Sequence, residues 1–333
     1  MMHTTTTDAT HAPEPSPFLA HHFESQAQQF DAGKLGIWLF LVTEILFFSG
    51  LFVAYAVYRS NHPEVFLYAH QFLDKTLGAV NTVVLLFSSL TMAWGVRCAQ
   101  LGRQRGLVIC LILTLVCAAF FLGVKAVEYT HKWDEGLLWA SQYAPQPDGA
   151  AGDAGGGHLT TGLCIFIWVV GVIALAGLAG TLVARVKRNM PRVVVSWAVA
   201  LMGVAALLGA GSGLGIPVLQ HALLHPGDSH EPSLHKLAAP PVDTQPVAGG
   251  KRVPPPSPSP RLAGVFFSIY FAMTGVHAIH ILAGMGVILW ITRRAMLGHF
   301  GPGYFGPVDY VGLYWHLVDL VWIYLFPLLY LIH

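Results

Sequence analysis

The residues that could perform chemistry in this chain lie inside long apolar stretches of sequence. They are Glu44, near the middle of LGIWLFLVTEILFFSGLFVAYAVY; Glu128, in FFLGVKAVEYTHKW; His277 and His280, in TGVHAIH; and His316 and Asp319, in YWHLVDLVWIYLF. Carboxyl and imidazole groups hold and transfer protons, and imidazoles also bind metals. Titratable groups at bilayer depth are costly, so each of them raises a functional hypothesis.

Glu44 poses the first question, because its stretch is long enough to cross a bilayer. The stretch from Leu35 to Tyr58 has 24 residues and no other charge. Its fourteen Leu, Ile, Phe and Val residues contribute about 6 kcal/mol to insertion, against a cost of about 3 kcal/mol for a carboxylate near the centre. The span therefore tolerates Glu44. We expect its carboxyl group to be protonated, or turned towards polar partners on other helices.

Three interpretations of these polar residues remain open from the residues alone. The first is a metal or haem site, although Glu128 with His131 is the only Glu-x-x-His pair of the type that di-iron bundles use twice. The second is a proton-conducting chain through Glu44, the histidines and Asp319. The third is a buried hydrogen-bonded network that fixes helix packing and contacts lipid headgroups or a partner subunit.

The composition is that of a membrane protein. The 333 residues are 54% hydrophobic and 11% charged, against about 25% charged in an ordinary soluble domain. The net charge of +1 and the lack of basic clusters argue against nucleic acid as a partner. The apolar runs predict an all-α bundle of seven transmembrane helices. The predicted spans are Leu35 to Tyr58, Thr76 to Val96, Leu107 to Val127, Gly162 to Ala184, Val193 to Val218, Ala263 to Thr292 and Val311 to Ile332.

Basic residues between the spans predict the orientation. They lie in the loops after spans two, four and six: Arg97, Arg103, Arg105, Arg185, Lys187, Arg188, Arg192, Arg293 and Arg294. Cytoplasmic loops are enriched in Lys and Arg. We therefore expect a multi-pass protein of a bacterial-type inner membrane, with a cytoplasmic amino terminus and a periplasmic carboxyl terminus. The polar start of the chain predicts no cleavable signal peptide.

The sequence predicts four parts. Residues 1–33 form a polar cytoplasmic tail, residues 34–134 hold spans one to three, and residues 262–333 hold the last two spans. Residues 135–261 hold spans four and five together with Gly-rich and Pro-rich outer linkers.

Spans four and five are joined by the short basic turn RVKRNMPR, which predicts an antiparallel hairpin. Small residues on both helices predict close backbone packing. They are Ala176, Gly177, Gly180 and Ala184 on one helix, and Gly203, Ala206, Ala210 and Gly213 on the other. We expect this hairpin to pack on the other five helices; the alternative is that it docks against another subunit.

Five stretches resemble, in this order, subunit III of haem-copper terminal oxidases, the cytochrome c oxidase subunit 3 family. They are KLGIWLFLVTEILFFSGLFVAY, AVNTVVLLFSSLTMAWGV, FFLGVKAVEYTHKW, FFSIYFAMTGVHAIHILAGMGVILW and LYWHLVDLVWIYLFPLLYLI. The resemblance covers residues 34–134 and 262–333. The chain departs from the common seven-helix form, because it lacks the first two helices of that form and has the hairpin of residues 135–261 as an insertion.

The resemblance implies a non-catalytic subunit of a proton-pumping aerobic oxidase, which passes electrons from cytochrome c or quinol to oxygen. It implies no cofactor and no metal in this chain, with haem and copper in partner subunits. The expected partners are the catalytic haem-copper subunit I, other oxidase subunits, phospholipid and a larger respiratory supercomplex. The expected role is to support assembly, lipid binding and sustained proton uptake.

Motif by motif, the resemblance implies a polar network for proton uptake and no catalytic residue. The network consists of Glu44, Glu128, His277, His280, His316 and Asp319, and the lipid-binding candidates are Trp315, Trp322 and His280. Two alternatives stay open. One is the accessory subunit of a nitric oxide reductase, and the other is an independent haem-binding or proton-translocating membrane protein.

Overall fold

The computed structural model describes residues 19–134, 136–137, 170–172, 174–181, 190–224 and 260–332. Within these residues the chain is helical, apart from turns and one isolated bridge between Gly301 and Tyr304. The helices are α1 (Gln26–Asn61), α2 (Pro63–Ala69), α3 (Lys75–Gln100), α4 (Gln104–Asp134), α5 (Met190–Leu224), α6 (Pro260–Met296) and α7 (Gly306–Tyr330). A 3-10 helix, His70–Phe72, joins α2 to α3, and residues 170–172 and 174–181 are also helical.

All of the labelled helices except α2 are long and apolar enough to cross a membrane. The all-α, polytopic membrane fold predicted from the sequence is therefore confirmed. The predicted fourth span, 162–184, is described only at 170–172 and 174–181. The predicted total of seven spans thus depends on residues outside the described part of the chain.

The first helix begins nine residues before the predicted span. Ser25 caps it, because the Ser25 hydroxyl accepts a hydrogen bond from the backbone N–H of Gln28 at 3.2 Å. Phe30 then packs against the rings of Phe305 and Tyr310, at centroid distances of 5.3 and 5.8 Å. Hydrophobicity marks only the part of a helix that crosses the bilayer, whereas caps and aromatic contacts extend this helix beyond it.

Several helix ends meet at one end of the bundle, which we call the basic end. Its basic residues are Arg97, Arg103, Arg105, Arg293 and Arg294. The Gln104 side chain at the start of α4 donates a hydrogen bond to the carbonyl of Phe300, which follows α6. Lys34 of α1 and Asp309 of α7 form an ion pair at 3.3 Å. The starts of α1, α4 and α7 therefore lie beside the end of α6.

The turn between α3 and α4 at the basic end requires a glycine. Gly102 has a φ of +69°, a conformation that other residues rarely adopt. The backbone N–H of Arg103 donates to the carbonyl of Cys98 at 2.9 Å, and that of Gly102 donates to the carbonyl of Ala99 at 3.1 Å. This pattern closes α3 and reverses the chain into an antiparallel α4.

Four helices, α3, α4, α6 and α7, enclose the core. Its largest fully buried side chains include Trp315, Trp322, Tyr270, Tyr330, Phe121 and Phe267. Helix α1 lies outside this group and packs on α6 and α7. Its buried residues, Leu41, Phe48 and Tyr55, are seven residues apart and form one narrow seam. Most of the surface of α1 therefore faces away from the bundle.

Helix α5 packs on α4 through glycines that let the two backbones touch. A Cβ atom at Gly123 would lie 2.0 Å from the carbonyl oxygen of Ala206, and one at Gly209 would lie 2.2 Å from that of Phe120. Gly213 faces Val127 in the same interface. Small residues commonly permit such close approach between membrane helices. The second helix of the predicted hairpin thus packs directly on the helix of the third predicted span.

The described residues of the first hairpin helix pack on α5. A Cβ atom at Gly177 would lie 2.8 Å from the backbone nitrogen of Ala200, and one at Gly203 would lie 2.6 Å from the Cβ of Ala174. Gly177 and Gly203 belong to the small-residue faces identified in the sequence. Gly177 of the first helix and Gly203 of α5 therefore lie where the two hairpin helices meet, while Ala206 and Gly213 of α5 lie at the contact with α4.

We expect Gly209→Leu to destabilise the contact between α4 and α5. The new side chain would collide with the backbone of Phe120, which cannot move without separating the helices, so overpacking should cost about 1 to 3 kcal/mol. Gly211→Leu is the matched control, because nothing lies within 4 Å of a Cβ atom there. Thermal unfolding in detergent measures both variants, and equal melting temperatures would contradict this packing.

Candidate functional site

The structure divides the six predicted polar residues into three groups. Glu44 and His280 form one pair, Glu128 belongs to a second cluster near the end opposite the basic end, and His277, His316 and Asp319 occupy the interior between them. In the part of the chain described, no direct hydrogen bond joins one group to another.

Glu44 contacts His280 across the interface of α1 and α6. The Nε2 atom of His280 lies 2.9 Å from Oε2 of Glu44, and 18% of the Glu44 side chain and 19% of the His280 side chain are exposed. The ring of Phe48 lies 5.1 Å from the imidazole, and the Tyr314 hydroxyl donates to the backbone carbonyl of His280 at 3.0 Å. Glu44 thus faces a polar partner at the boundary of the bundle.

The hydrogen bonds of His280 determine how many protons the pair holds. The Nδ1 atom lies 2.8 Å from the carbonyl oxygen of Val276. A carbonyl can only accept, so Nδ1 carries a proton. One further proton then lies between Nε2 of His280 and the carboxyl group of Glu44. Whether this proton resides on nitrogen or oxygen, the pair has no net charge, which suits a site at membrane depth.

Glu128 belongs to a fully enclosed cluster with a lysine and two tyrosines. Its Oε2 atom accepts a hydrogen bond from Lys125 at 2.7 Å. Its Oε1 atom accepts from the hydroxyls of Tyr270 at 2.8 Å and Tyr330 at 2.5 Å. Lys125 also donates to the Tyr330 hydroxyl at 2.5 Å. The carboxylate is therefore paired with a cation and hydrogen-bonded on both oxygens, the condition for burying an ion pair without a large loss.

Aromatic rings surround the ammonium group of Lys125. It lies 4.6 Å from the ring centroid of Trp322, 5.1 Å from that of Tyr330 and 5.7 Å from that of Tyr270. The faces of these rings attract cations, most strongly the indole of tryptophan. The cluster thus compensates both charges and joins α4 to α6 and α7.

His277 and Asp319 lie deeper in the bundle. His277 is 0% exposed and stacks on the ring of Trp322, with centroids 5.4 Å apart. Asp319 is 2% exposed and lies beside Ser89 of α3. The Ser89 hydroxyl is 2.6 Å from Nδ1 of His316. Helix α3 therefore provides the polar contacts for this part of α7.

The structure places both predicted lipid-binding tryptophans inside the bundle. Trp315 and Trp322 are 0% exposed. The Trp315 indole donates to the Ser88 hydroxyl at 2.8 Å, and the Trp322 indole donates to Thr82 Oγ1 at 3.1 Å. Their N–H groups are thus used between helices, and neither ring presents a surface to lipid. Of the three lipid-binding candidates, His280 alone reaches the surface of the bundle.

Within the described ranges, no cluster of side chains supports the interpretation of the polar residues as a metal site. There, no three His, Cys, Asp or Glu side chains come together as a metal ion would require. His280 uses its Nε2 atom on Glu44, and the imidazole ring of His277 packs against the rings of Phe121 and Trp322.

Several residues of these groups were missed in the sequence analysis. They are Asn81, Thr82, Ser88 and Ser89 of α3, and Tyr270 and Tyr330, which bind Glu128. The signal on α3 is present in the sequence, because Asn81 and Ser88 are seven residues apart and share one helix face. Nothing in the sequence links the two tyrosines to Glu128.

We expect Lys125→Met to destabilise the protein strongly, because it leaves the Glu128 carboxylate buried without its cation. Removing one partner of a buried ion pair costs about 3 to 5 kcal/mol. Adding Glu128→Gln to Lys125→Met should restore much of that loss. A double-mutant cycle on thermal unfolding measures the coupling. Additive effects of the two substitutions would show that the pair does not interact as the structure indicates.

Comparison with known proteins gives the family. The family model described as cytochrome c oxidase subunit III matches residues 15–133 and 260–333, which together make up more than half of the chain. The six polar residues described above all lie within these two matched segments. The gap between them corresponds to the region of the hairpin and its linkers.

Individual relatives agree with this match. Quinol oxidase subunit 3 of Bacillus subtilis (strain 168) is 29% identical over 160 residues, which cover 46% of this chain and 76% of that protein. Cytochrome bo(3) ubiquinol oxidase subunit 3 of Pseudomonas putida is 30% identical over 151 residues, or 42% of this chain and 67% of that protein. Cytochrome c oxidase subunit 3 of Synechocystis sp. is 42% identical over 72 residues, 20% of this chain and 30% of that protein. The chain therefore belongs to the cytochrome c oxidase subunit III family, the third subunits of haem-copper oxidases.

Proposed function

We propose that this chain is the non-catalytic third subunit of a proton-pumping aerobic oxidase, and that it supports proton uptake, lipid binding and assembly in that complex. The haem and copper of the complex would belong to partner subunits, with subunit I as the principal partner of this chain. Cytochrome c and quinol both remain candidate electron donors, because the relatives include subunits of oxidases named for each of these donors. The proposal concerns an inner membrane of bacterial type, with the basic end in the cytoplasm.

The observation that carries this proposal is the hydrogen bond between Glu44 and His280. The pair holds one shared proton and lies at the boundary of the bundle rather than in its core. Adding or removing a proton would leave a net charge in surroundings of low dielectric constant, which is costly. The pair is therefore suited to keep its proton and to hold α1 against α6. This favours a supporting role in proton uptake over free conduction through this subunit.

The surface of α1 supports the proposed contact with lipid or with subunit I. Leu39 and Leu46 are 62% and 67% exposed, and Val53 is 61% exposed. These side chains follow one another at seven-residue spacing on the face of α1 that points away from the bundle. An apolar face of this length suits acyl chains or an apolar helix of a partner.

We also propose that residues 135–261 are an addition to the common five-helix part of the family. The interruption of the family match at 134–259 supports this division. The packing of α5 on α4 supports a role for the hairpin within this chain, as a cover for one side of the five-helix part.

Purification of the native complex tests the proposed function. We expect this chain to copurify with a haem-containing subunit, and the complex to consume oxygen with either cytochrome c or a quinol. The isolated chain should show no stoichiometric haem spectrum. Stoichiometric haem in the isolated chain, or nitric oxide reduction in place of oxygen uptake, would overturn the proposal in favour of one of the two alternatives.

We expect Glu44→Gln to leave the complex assembled, because the glutamine amide can still donate to Nε2 of His280. Its initial oxygen uptake should stay close to that of the wild type, and its activity should decline faster during prolonged turnover. Glu44→Leu should also loosen α1, since an unsatisfied half-buried imidazole costs about 1 to 3 kcal/mol.

Glu64→Gln serves as the control, because the Glu64 side chain is 60% exposed and lies outside the bundle. Oxygen-electrode traces over many turnovers measure all three variants, and infrared titration of the carboxyl band reports the protonation of Glu44. A decline identical in Glu44→Gln and Glu64→Gln would remove the proposed role of Glu44.

A further inference from the structure

Three fully buried polar side chains in the bundle interior lack hydrogen bonds. Asn81 and His277 are 0% exposed and Asp319 is 2% exposed. Among the described residues, no group forms a hydrogen bond with either polar atom of any of the three side chains. Leaving a buried donor or acceptor unsatisfied costs about 1 to 3 kcal/mol. Six such atoms in one region therefore need a partner.

His277 packs directly on one side chain, Trp322, and Asn81 and Asp319 lie close to it along α3 and α7. Its indole N–H donates to Thr82, the residue that follows Asn81 on α3, at 3.1 Å. Its ring stacks on the imidazole of His277, with an angle of 27° between the planes. Asp319 precedes Trp322 by three residues and so lies on the same face of α7, nearly one turn closer to the basic end. The unsatisfied atoms therefore belong to two adjacent layers of the interior.

Ser89 can satisfy at most one of the two carboxyl oxygens of Asp319. Its side chain lies beside the carboxyl group, and its hydroxyl also lies 2.6 Å from Nδ1 of His316. A hydroxyl has one proton to donate, whichever of the two neighbours receives it. At least one carboxyl oxygen of Asp319 therefore needs another donor.

The chemistry of the six atoms selects the class of ligand. The amide of Asn81 offers two N–H donors and an oxygen acceptor, and a neutral imidazole at His277 offers one donor and one acceptor. Asp319 contributes two oxygen acceptors. A metal cation could bind only the acceptors and would leave the N–H groups unsatisfied. Water donates and accepts, and buried water commonly makes about three hydrogen bonds to groups of this kind.

We propose that Asn81, His277 and Asp319 form a binding site for a cluster of internal water molecules around Trp322. With about three hydrogen bonds for each molecule, two or three waters satisfy the six atoms. Lys125 lies over the ring of Trp322 at 4.6 Å, so the cluster ends next to the buried ion pair of Lys125 and Glu128. The interior of the bundle is thus hydrated from Asp319 to the Lys125 side of that ion pair.

An electron cryomicroscopy map of the wild-type oxidase complex, at a resolution that shows ordered water, tests the site directly. We expect density peaks at about 2.7 to 3.2 Å from the polar atoms of Asn81, His277 and Asp319. Two results would overturn the proposal. One is direct pairing of these side chains with no density between them. The other is a single peak with oxygen ligands alone at about 2.3 to 2.6 Å, as a cation requires.

Hydroxyl-radical footprinting of the same complex provides an independent test, because radiolysis of bound water labels the side chains that touch it. We expect labelling of Trp322 and none of Phe266, which is 1% exposed and packs against the rings of Phe66 and Phe267. A wild-type complex in which Trp322 resists labelling as completely as Phe266 would overturn the proposal.

Asn81→Leu should lower the labelling of Trp322 several-fold by removing one side of the site. Ser49→Ala is the matched control, since it removes a hydroxyl that donates to the Ile45 carbonyl of its own helix, at 2.7 Å. Unchanged labelling in Asn81→Leu would contradict the assignment of Asn81 to the site. The two wild-type measurements decide the proposal if this variant fails to assemble.

Discussion

Trp322 is the side chain through which the four interior helices meet. It belongs to α7, donates to Thr82 of α3, lies 4.8 Å from the ring of Phe121 on α4 and stacks on His277 of α6. Indole combines a large apolar surface with one N–H group that needs a partner when it is buried. Lys125 also lies over its ring. The packing of the core and the position of its buried charges therefore depend on the same residue.

Polar contacts along α3 extend this arrangement towards the basic end. Thr82 binds Trp322, Ser88 binds Trp315 and Ser89 binds His316. Hydrocarbon provides no competing hydrogen bonds, so Trp315, His316 and Trp322 are each held where a hydroxyl of α3 meets them. These contacts fix the antiparallel register of α3 and α7, which apolar packing alone specifies less strictly.

The sequence predicts the fold well because long apolar runs and membrane helices correspond closely. It also predicts Lys125 beside Glu128, since residues three apart on a helix are neighbours. It does not predict the contacts of Tyr270 and Tyr330 with Glu128, because these tyrosines come from two other helices. The rotation of those helices about their axes depends on how the whole bundle packs. The Ser88 partner of Trp315 was missed for the same reason, because it lies on another helix, α3.

His277 and His280 show how two residues close together on a helix can lie in different surroundings. Three residues turn an α-helix by about 300°, which leaves the two side chains about 60° apart around α6. That angle is enough to place His277 against Phe121 and Trp322 in the core, while His280 reaches Glu44 at the boundary. A proton chain from Glu44 to Asp319 would have to cross the wall of α6 between these two histidines. Within the described residues, no hydrogen bond makes that crossing, and α6 holds His280 in the pair at the boundary and His277 in the buried interior.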